Sequence, residues 1–396
     1  MSVAGRAELE FLLHTLAATA GPERVSQIVD ALLTEAVRRS ASDVHIEPTH
    51  RALDIKFRLD GVLHPVASLP RELAPNVVAR LKVLAELLTY RLDIPQEGRL
   101  LDAARRFGVD MRISTFPTIH GEKAAVRLFD PAGRILDLEH LGFAAPLLAA
   151  LQKLLTERSG AILLTGPSGS GKTTTIYACL RQLVRAGGRH IVTIEDPVEQ
   201  VLEGVSQAQA RPGTEFDFAR GLRSLLRQDP EVIMIGEVRD PETAGIAVEA
   251  ALTGHLVFST LHAGSACGVI GRLFEMGVEA YLLTSALKGI LNQRLVRRVC
   301  PGCCGTGCAA CSGTGYHGRL LLAELVLIDA PLRKAILARA DTTELEAAVA
   351  ASGRATLRDA AAAAVIQGTT TTLEIARVLG PTGEDVSPRM NTDEHG

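Results

Sequence analysis

The sequence predicts an α/β protein: a parallel sheet covered by helices, with a smaller α+β domain before it and a small helical region after it. Three observations carry this. Short apolar runs near 161–165, 190–194, 232–235 and 256–260 do not alternate and are separated by helical stretches, as strands buried on both faces require. Upstream, Leu53, Ile55, Phe57 and Leu59 alternate with Asp54, Lys56 and Arg58, the mark of a strand with one wet face. Beyond residue 328 the chain reads as short helices with clear stops.

Taken in order, residues 1–22 read as a short amphipathic leader ending at Gly21-Pro22. The α+β domain follows over 23–138. Val25, Ile28, Val29, Leu32, Leu33, Ala36 and Val37 recur at helical spacing within Glu23 to Ser40. The Leu53–Leu59 strand turns at Asp60-Gly61 and returns from Val62. A second hairpin sets Phe107, Val109, Met111 and Ile113 against Ala124, Val126 and Leu128, turning near His120-Gly121. Its alternation places Arg112 and Arg127 on the polar face. The parallel-sheet core spans 139–298 and a cysteine-rich module 299–318. The last segment, 319–380, holds an apolar strand from Leu320 to Ile328 and three short helices. Thr343-x-x-Glu346 and Thr371-x-x-Glu374 read as capping boxes, and Gly353, Gly368 and Gly380 as helix stops. Residues 381–396 have too few apolar side chains to pack and are expected to be disordered. No internal repeat is visible.

At 396 residues the chain has room for two to three domains, and 47% apolar content supplies their cores. A net charge of −3 argues against a protein that coats nucleic acid. Arg6, Glu8 and Glu10 precede a short apolar stretch, which argues against an export signal. The longest uncharged stretch, Ala250 to Gly271, contains two His and four Gly, and reads as strand, loop and helix start rather than a membrane span. The expected compartment is the cytoplasm. There, seven cysteines with four in C-x-x-C pairs suggest metal rather than disulfides.

The sharpest chemical signal is Gly166-Pro167-Ser168-Gly169-Ser170-Gly171-Lys172-Thr173, which fits G-x-x-x-x-G-K-[ST] between a predicted strand and a predicted helix beginning near Thr174. Such a loop curls backbone N–H groups round phosphate oxygens at a helix N-terminus. Lys172 would reach the β- and γ-phosphates and Thr173 would ligate Mg²⁺. The ligand implied is a nucleoside triphosphate. Two further strands end in carboxylates, Glu237 after Val232–Gly236 and Glu195 after His190–Ile194, where metal and water are positioned for in-line attack. Gly236 stands where an Asp is usual. Arg220, Arg223 and Arg227 share one stripe of a helix expected over Phe218 to Gln228, a solvated face or a set of arginine fingers. His255 and His262 flank the strand Leu256–Phe258 and are candidates for sensing phosphate. Cys300, Cys303, Cys308 and Cys311 have the spacing of a Cys₄ zinc site within each pair, but only residues 304–307 separate the pairs. Gly305 and Gly307 could permit that short turn, and Cys304 could replace a neighbouring ligand. Cys179 and Cys267 read as core residues.

These segments resemble a family, the secretion ATPases that drive type II secretion and type IV pilus assembly (the GspE, PulE and PilB type). The resemblance covers about residues 23–380. It rests on Ala41-Ser-Asp-Val-His-Ile-Glu-Pro48, Ile194–Glu199, Leu222–Pro230, Gly236–Asp240, Thr253-Gly-His255 with Ser259–His262, and Asn292–Arg297. It implies a homo-hexamer in which an α+β (PAS-like) domain is hinged to a RecA-like ATPase domain. Glu195 would lie in the family's Asp box, Glu237 in Walker B, and His255 and His262 in its His box. Arg112 and Arg127 align with its phosphate-sensing arginines, Arg223 and Arg227 with its interface arginines. ATP turnover would drive an inner-membrane platform protein that pushes pilin-like subunits into a filament. Members commonly carry a further N-terminal domain that docks on a membrane-anchored recruiter, and little sequence precedes residue 23 for that purpose. The cysteine module favours assembly over retraction. Three other readings stay open: a pilus or DNA-uptake motor, a non-hydrolysing nucleotide-gated scaffold, and a DNA translocase, which the acidic balance disfavours.

Overall fold

The structure, a computed structural model, describes residues 3–18, 21, 23–129, 137–211, 213–214 and 216–381. From residue 382 onward the expected disordered tail lies outside the described residues, as does the stretch 130–136 where the first domain was expected to end. The chain forms two compact units. One comprises Met1–Arg134 and Arg297–Arg319, the other Ile135–Val296 and Leu320–Gly396.

Six strands make the sheet of the first unit: β1 (Asp43–Pro48), β2 (Ala52–Leu59), β3 (Val62–Pro70), β4 (Gln96–Arg99), β5 (Asp110–Thr118) and β6 (Gly121–Phe129). They are antiparallel throughout, in the order β3-β2-β1-β6-β5-β4. Alternation decides which face is wet. Leu53, Ile55 and Phe57 of β2, Met111 and Ile113 of β5 and Val126 of β6 are buried, and helices Arg24–Arg38 and Ala74–Leu84 supply Ile28, Leu32, Val77 and Leu81 to the same core. The Asp60-Gly61 turn is where the sequence places it. So is the second hairpin, in which Arg112 sits directly opposite Arg127. Phe107 departs from the reading: it closes a short helix, Ala103–Phe107, and the strand begins only at Asp110.

The second unit is built on β7 (Gly160–Thr165), β8 (Ile191–Glu195), β9 (Ser206–Gln209), β10 (Val232–Ile235), β11 (Leu256–Leu261), β12 (Leu287–Val299) and β13 (Tyr316–Leu327). Their order is β13-β12-β7-β11-β10-β8-β9, and every pairing from β12 to β9 is parallel. All residues of β7, β8, β10 and β11 are buried. Their odd and even side chains feed two cores, Leu163, Ile194, Ile233 and Val257 on one face and Ile162, Leu164, Met234 and Phe258 on the other. That is why these runs are continuous rather than alternating. The tips of β12 and β13 and the cysteines between them group with the first unit, where the Gly318 N–H donates to Asp60 Oδ2 at 2.9 Å.

Two expectations about helices need correction. The described residues after β13 form four helices, not three: Ala330–Leu337, Thr342–Ala350, Leu357–Ile366 and Thr372–Leu379. Thr343 is not a cap, because Asp341 starts that helix and accepts from the Glu344 N–H at 2.9 Å. The full capping box is Thr356 with Asp359, an Asp in place of the expected Glu. Thr371 does cap its helix, accepting from the Glu374 N–H. Asp341→Ala should therefore lower the stability of this unit by about 1 kcal/mol and Thr343→Ala by less than about 0.5 kcal/mol, read from urea denaturation midpoints.

Candidate active site

Parallel register brings the carboxyl ends of β8, β10, β11 and β7 to one edge, where helices begin and backbone donors are open. The loop Gly166–Gly171 leaves β7 there and leads into the helix Lys172–Ala186. Gly166 is required at its position. Its φ is +143°, and a Cβ on it would lie 2.4 Å from the Gln293 carbonyl oxygen and 2.7 Å from Ser170 Oγ. Pro167, Ser168, Gly169, Thr173 and Thr174 are exposed, whereas Ser170 and Lys172 are buried. Lys172 Nζ folds back to donate to the Gly166 carbonyl at 2.7 Å and the Pro167 carbonyl at 3.0 Å. Burial, and then the Arg294 guanidinium, push the Lys172 amine below its usual range, while Glu237 opposes them. The Ser170 hydroxyl and the Gln293 side-chain carbonyl are buried without a hydrogen-bond partner. A cation turned onto its own loop, beside orphaned polar atoms, fits an anion-binding cradle.

Glu237 follows β10 and Gly236 at this same edge. The Val238 N–H donates to the Thr260 carbonyl and the Thr260 hydroxyl to the Gly236 carbonyl, which fixes the turn. The Glu237 carboxylate contacts the Arg239 guanidinium and lies 3.8 Å from His262 Nε2. Its hydrogen bond raises the Arg239 pKa. Glu195 is placed differently. It is buried, and its carboxylate accepts from the Tyr177 hydroxyl, the Thr193 hydroxyl and the Gln207 amide. Burial and the neighbouring carboxylate push the Tyr177 phenol up, so it stays a donor. One strand-end acid is locked, and the other is held by an exposed arginine.

The histidines part company. Leu261 pairs with Thr165, so His262 follows β11 at the level of the phosphate loop. Leu256 pairs with Gly160, and the Gly160 N–H donates to the His255 carbonyl at 3.0 Å. His255 therefore sits at the other end of the sheet, about 23 Å from His262 at about 3.3 Å per residue. The structure does not bring it to the phosphate loop of its own chain.

The helix carrying Arg220 and Arg223 ends at Leu225, so Arg227 lies beyond it rather than on its stripe. Arg223 pairs with Glu242 at 2.6 Å, and all three arginines are exposed. In the first unit Arg127 Nε bonds Asp43 at 3.2 Å and Arg112 stacks on Phe129.

Cys300, Cys303, Cys308 and Cys311 converge, with all four sulfurs within 4.8 Å of one another. Three of the S···S distances are 3.8 Å. A tetrahedron with Zn–S bonds of about 2.3 Å has edges of about 3.8 Å. N–H groups of Gly307 and Cys308 donate to Cys303 and Cys311 sulfurs at 3.2 Å, as thiolates need. The short connection closes on glycine: a Cβ at Gly315 would lie 2.4 Å from the Gly305 carbonyl oxygen, and one at Gly307 2.8 Å from that of Gly313. Cys304 stands outside the cluster and is exposed, while Cys179 and Cys267 are buried in the second unit.

A parallel sheet with a glycine phosphate loop at its carboxyl edge, a lysine turned into that loop and a strand-end glutamate beside it defines a RecA-like P-loop ATPase. Residues 18–377 match the sequence model described as type II/IV secretion system protein, and the chain belongs to that family. Type II secretion system protein E of Pectobacterium carotovorum is 44% identical over 377 residues, covering 89% of this chain and 75% of its own. Type II secretion system ATPase E of Vibrio cholerae is 41% identical over 379 residues, with the same coverage. Among solved structures, the pilus retraction motor PilT with bound ADP aligns at a TM-score of 0.63 and 27% identity, covering 90% of this chain and 98% of that one. The chain is thus a secretion-system ATPase that uses nucleotide. No described helix is long and apolar enough to cross a membrane.

Four contributors had no role in the sequence reading: Arg239, Tyr177, Gln207 and Arg294. Arg239 and Arg294 lie inside segments that carried the resemblance, but their partners are set by tertiary contacts. Gly166→Ala should weaken binding of a fluorescent ATP analogue at least ~5-fold, from strain of about 1–3 kcal/mol at a positive φ.

Proposed function

We propose that the chain is the Mg²⁺-dependent motor of a type II secretion system. It works as a homo-hexamer at the cytoplasmic side of the inner membrane and powers pseudopilus assembly through a membrane platform protein. One observation carries the enzymatic part: Lys172, Glu237 and His262 meet at the edge that holds the phosphate loop. Lys172 leaves the Gly166 and Pro167 carbonyls to hold the β- and γ-phosphates, and Thr173 ligates the metal. Bound magnesium supplies neutralisation of the phosphate charge. Glu237 orients the attacking water once Arg239 releases it, and His262 senses the carboxylate and the terminal phosphate. Glu195, fixed by its three donors, assists by holding the end of β8 in place. Arg112, Arg127, Arg223 and Arg227 neutralise phosphate charge during turnover.

The names of the Pectobacterium and Vibrio proteins support secretion as the machine served. The likeness to a pilus motor keeps pilus assembly as the second reading. Glu237→Gln should bind ATP yet turn it over at least ~100-fold more slowly. Used as bait in a native pull-down, that variant should recover a polytopic platform protein with secretion-channel components. Platform and pilins alone would move the assignment to a pilus, and wild-type turnover would remove Glu237 from its role.

We also assign zinc to the four cysteines. The chain purified without chelator should carry about one zinc by atomic emission, and Cys300→Ser should lose it. A metal-free wild type, with its thiols reduced, would contradict the assignment.

A further inference from the structure

Strand β12 does not stop where its neighbour does. Asn292 pairs with Thr165, the last residue of β7, and the strand continues to Val299. Its next residues back the phosphate loop. The Gln293 carbonyl and Arg294 Nη1 lie 2.4 and 3.1 Å from where a Cβ of Gly166 would be.

Arg294 is only 9% exposed. Nη1 donates to Asn292 Oδ1 at 2.6 Å and to the Gln293 carbonyl at 2.9 Å, and Nη2 donates to the Gly264 carbonyl at 2.7 Å. Every one of these acceptors is uncharged. None of the described carboxylates forms an ion pair with it, and burial depresses its pKa with only Glu324 opposing at a distance. A buried cation without a direct counter-ion is costly, and here it shares its surroundings with a second cation, Lys172. An anion in the loop would relieve both.

The acceptors matter as much as the charge. Gly264 lies two residues after His262 on the segment leaving β11, and the neighbouring Ala263 N–H donates to Thr165 Oγ1 at 3.2 Å. The guanidinium therefore bridges the His262 segment to the strand that backs the phosphate loop. Its third partner is itself held. Asn292 Nδ2 donates to Glu324 Oε1 at 2.8 Å, and Glu324 Oε2 accepts from the Leu357 N–H at 2.8 Å, where the helix Leu357–Ile366 begins. A planar fork spans two carbonyls in this way, and a single ammonium does not.

We propose that Arg294 is a positioning residue of the nucleotide site: its fork sets the phosphate loop against the His262 segment, and its charge strengthens triphosphate binding without touching the ligand. This rests on the nucleotide reading of the loop. The test compares full-length wild type, Arg294→Gln and Arg294→Lys for Kd of a fluorescent ATP analogue and for kcat. Arg294→Gln should weaken binding about 10-fold and lower kcat. Arg294→Lys should restore Kd to within ~3-fold of wild type but leave kcat about 10-fold low, because the charge returns without the fork. Wild-type Kd and kcat in Arg294→Gln would overturn the proposal, as would equal loss of binding in both variants. If Arg294→Gln melts early, Arg294→Lys decides: wild-type kcat in it removes the fork, and a 10-fold loss of affinity removes the charge. A wild-type chain that binds no nucleotide overturns the underlying reading, and this one with it.

Discussion

The parallel pairing of β8, β10, β11, β7 and β12 is the constraint on which the second unit depends. It buries each strand on both faces, so side chains as different as Ile233 and Phe258 serve separate cores on one sheet. It also sends the carboxyl ends of these strands to one edge. Everything chemical follows from that edge. Gly166, Glu237 and His262 meet because each follows the end of a strand, and His255 is excluded because it precedes one. A one-residue slip of β11 would exchange its two faces and move His262 away.

Electrostatics at the edge are deliberately uneven. Glu195 is a buried carboxylate satisfied by Tyr177, Thr193 and Gln207, an arrangement that fixes a strand end. Glu237 instead meets an exposed arginine and a histidine, partners that can move. On the other side of the loop Lys172 and Arg294 are both held below their usual range by burial, and the Arg294 guanidinium adds to the effect on Lys172. Buried positive charge beside an anion-binding loop trades stability of the free protein for affinity.

Much of this was legible in the sequence because the patterns are local. The phosphate loop, the four apolar strands, the Asp60-Gly61 turn and the shared polar face of Arg112 and Arg127 depend on spacing alone. What was not legible is tertiary. Strand β12 carries Lys288, Gly289 and two buried polar residues, Asn292 and Gln293, so neither alternation nor an apolar run announces it. Gly289 lets Leu154 and Leu327 pack closely there, at 3.0 and 3.3 Å from where a Cβ would lie. The Thr343 reading failed for a local reason, since Asp341 offers an equally good cap two residues earlier. The four cysteines and the part of Gly305 and Gly307 in the short connection were legible, whereas the positive φ of Gly313 and Gly315 beyond the second pair was not.

The central claim is that this edge hydrolyses ATP. Its most direct test is phosphate release under multiple turnover by the wild-type chain and by Lys172→Ala, each with Mg²⁺ and with EDTA. The account requires steady release from the wild type with Mg²⁺ only, and background from Lys172→Ala in both conditions. Equal release from the two proteins would contradict it, because the account makes Lys172 the cation that holds the β- and γ-phosphates.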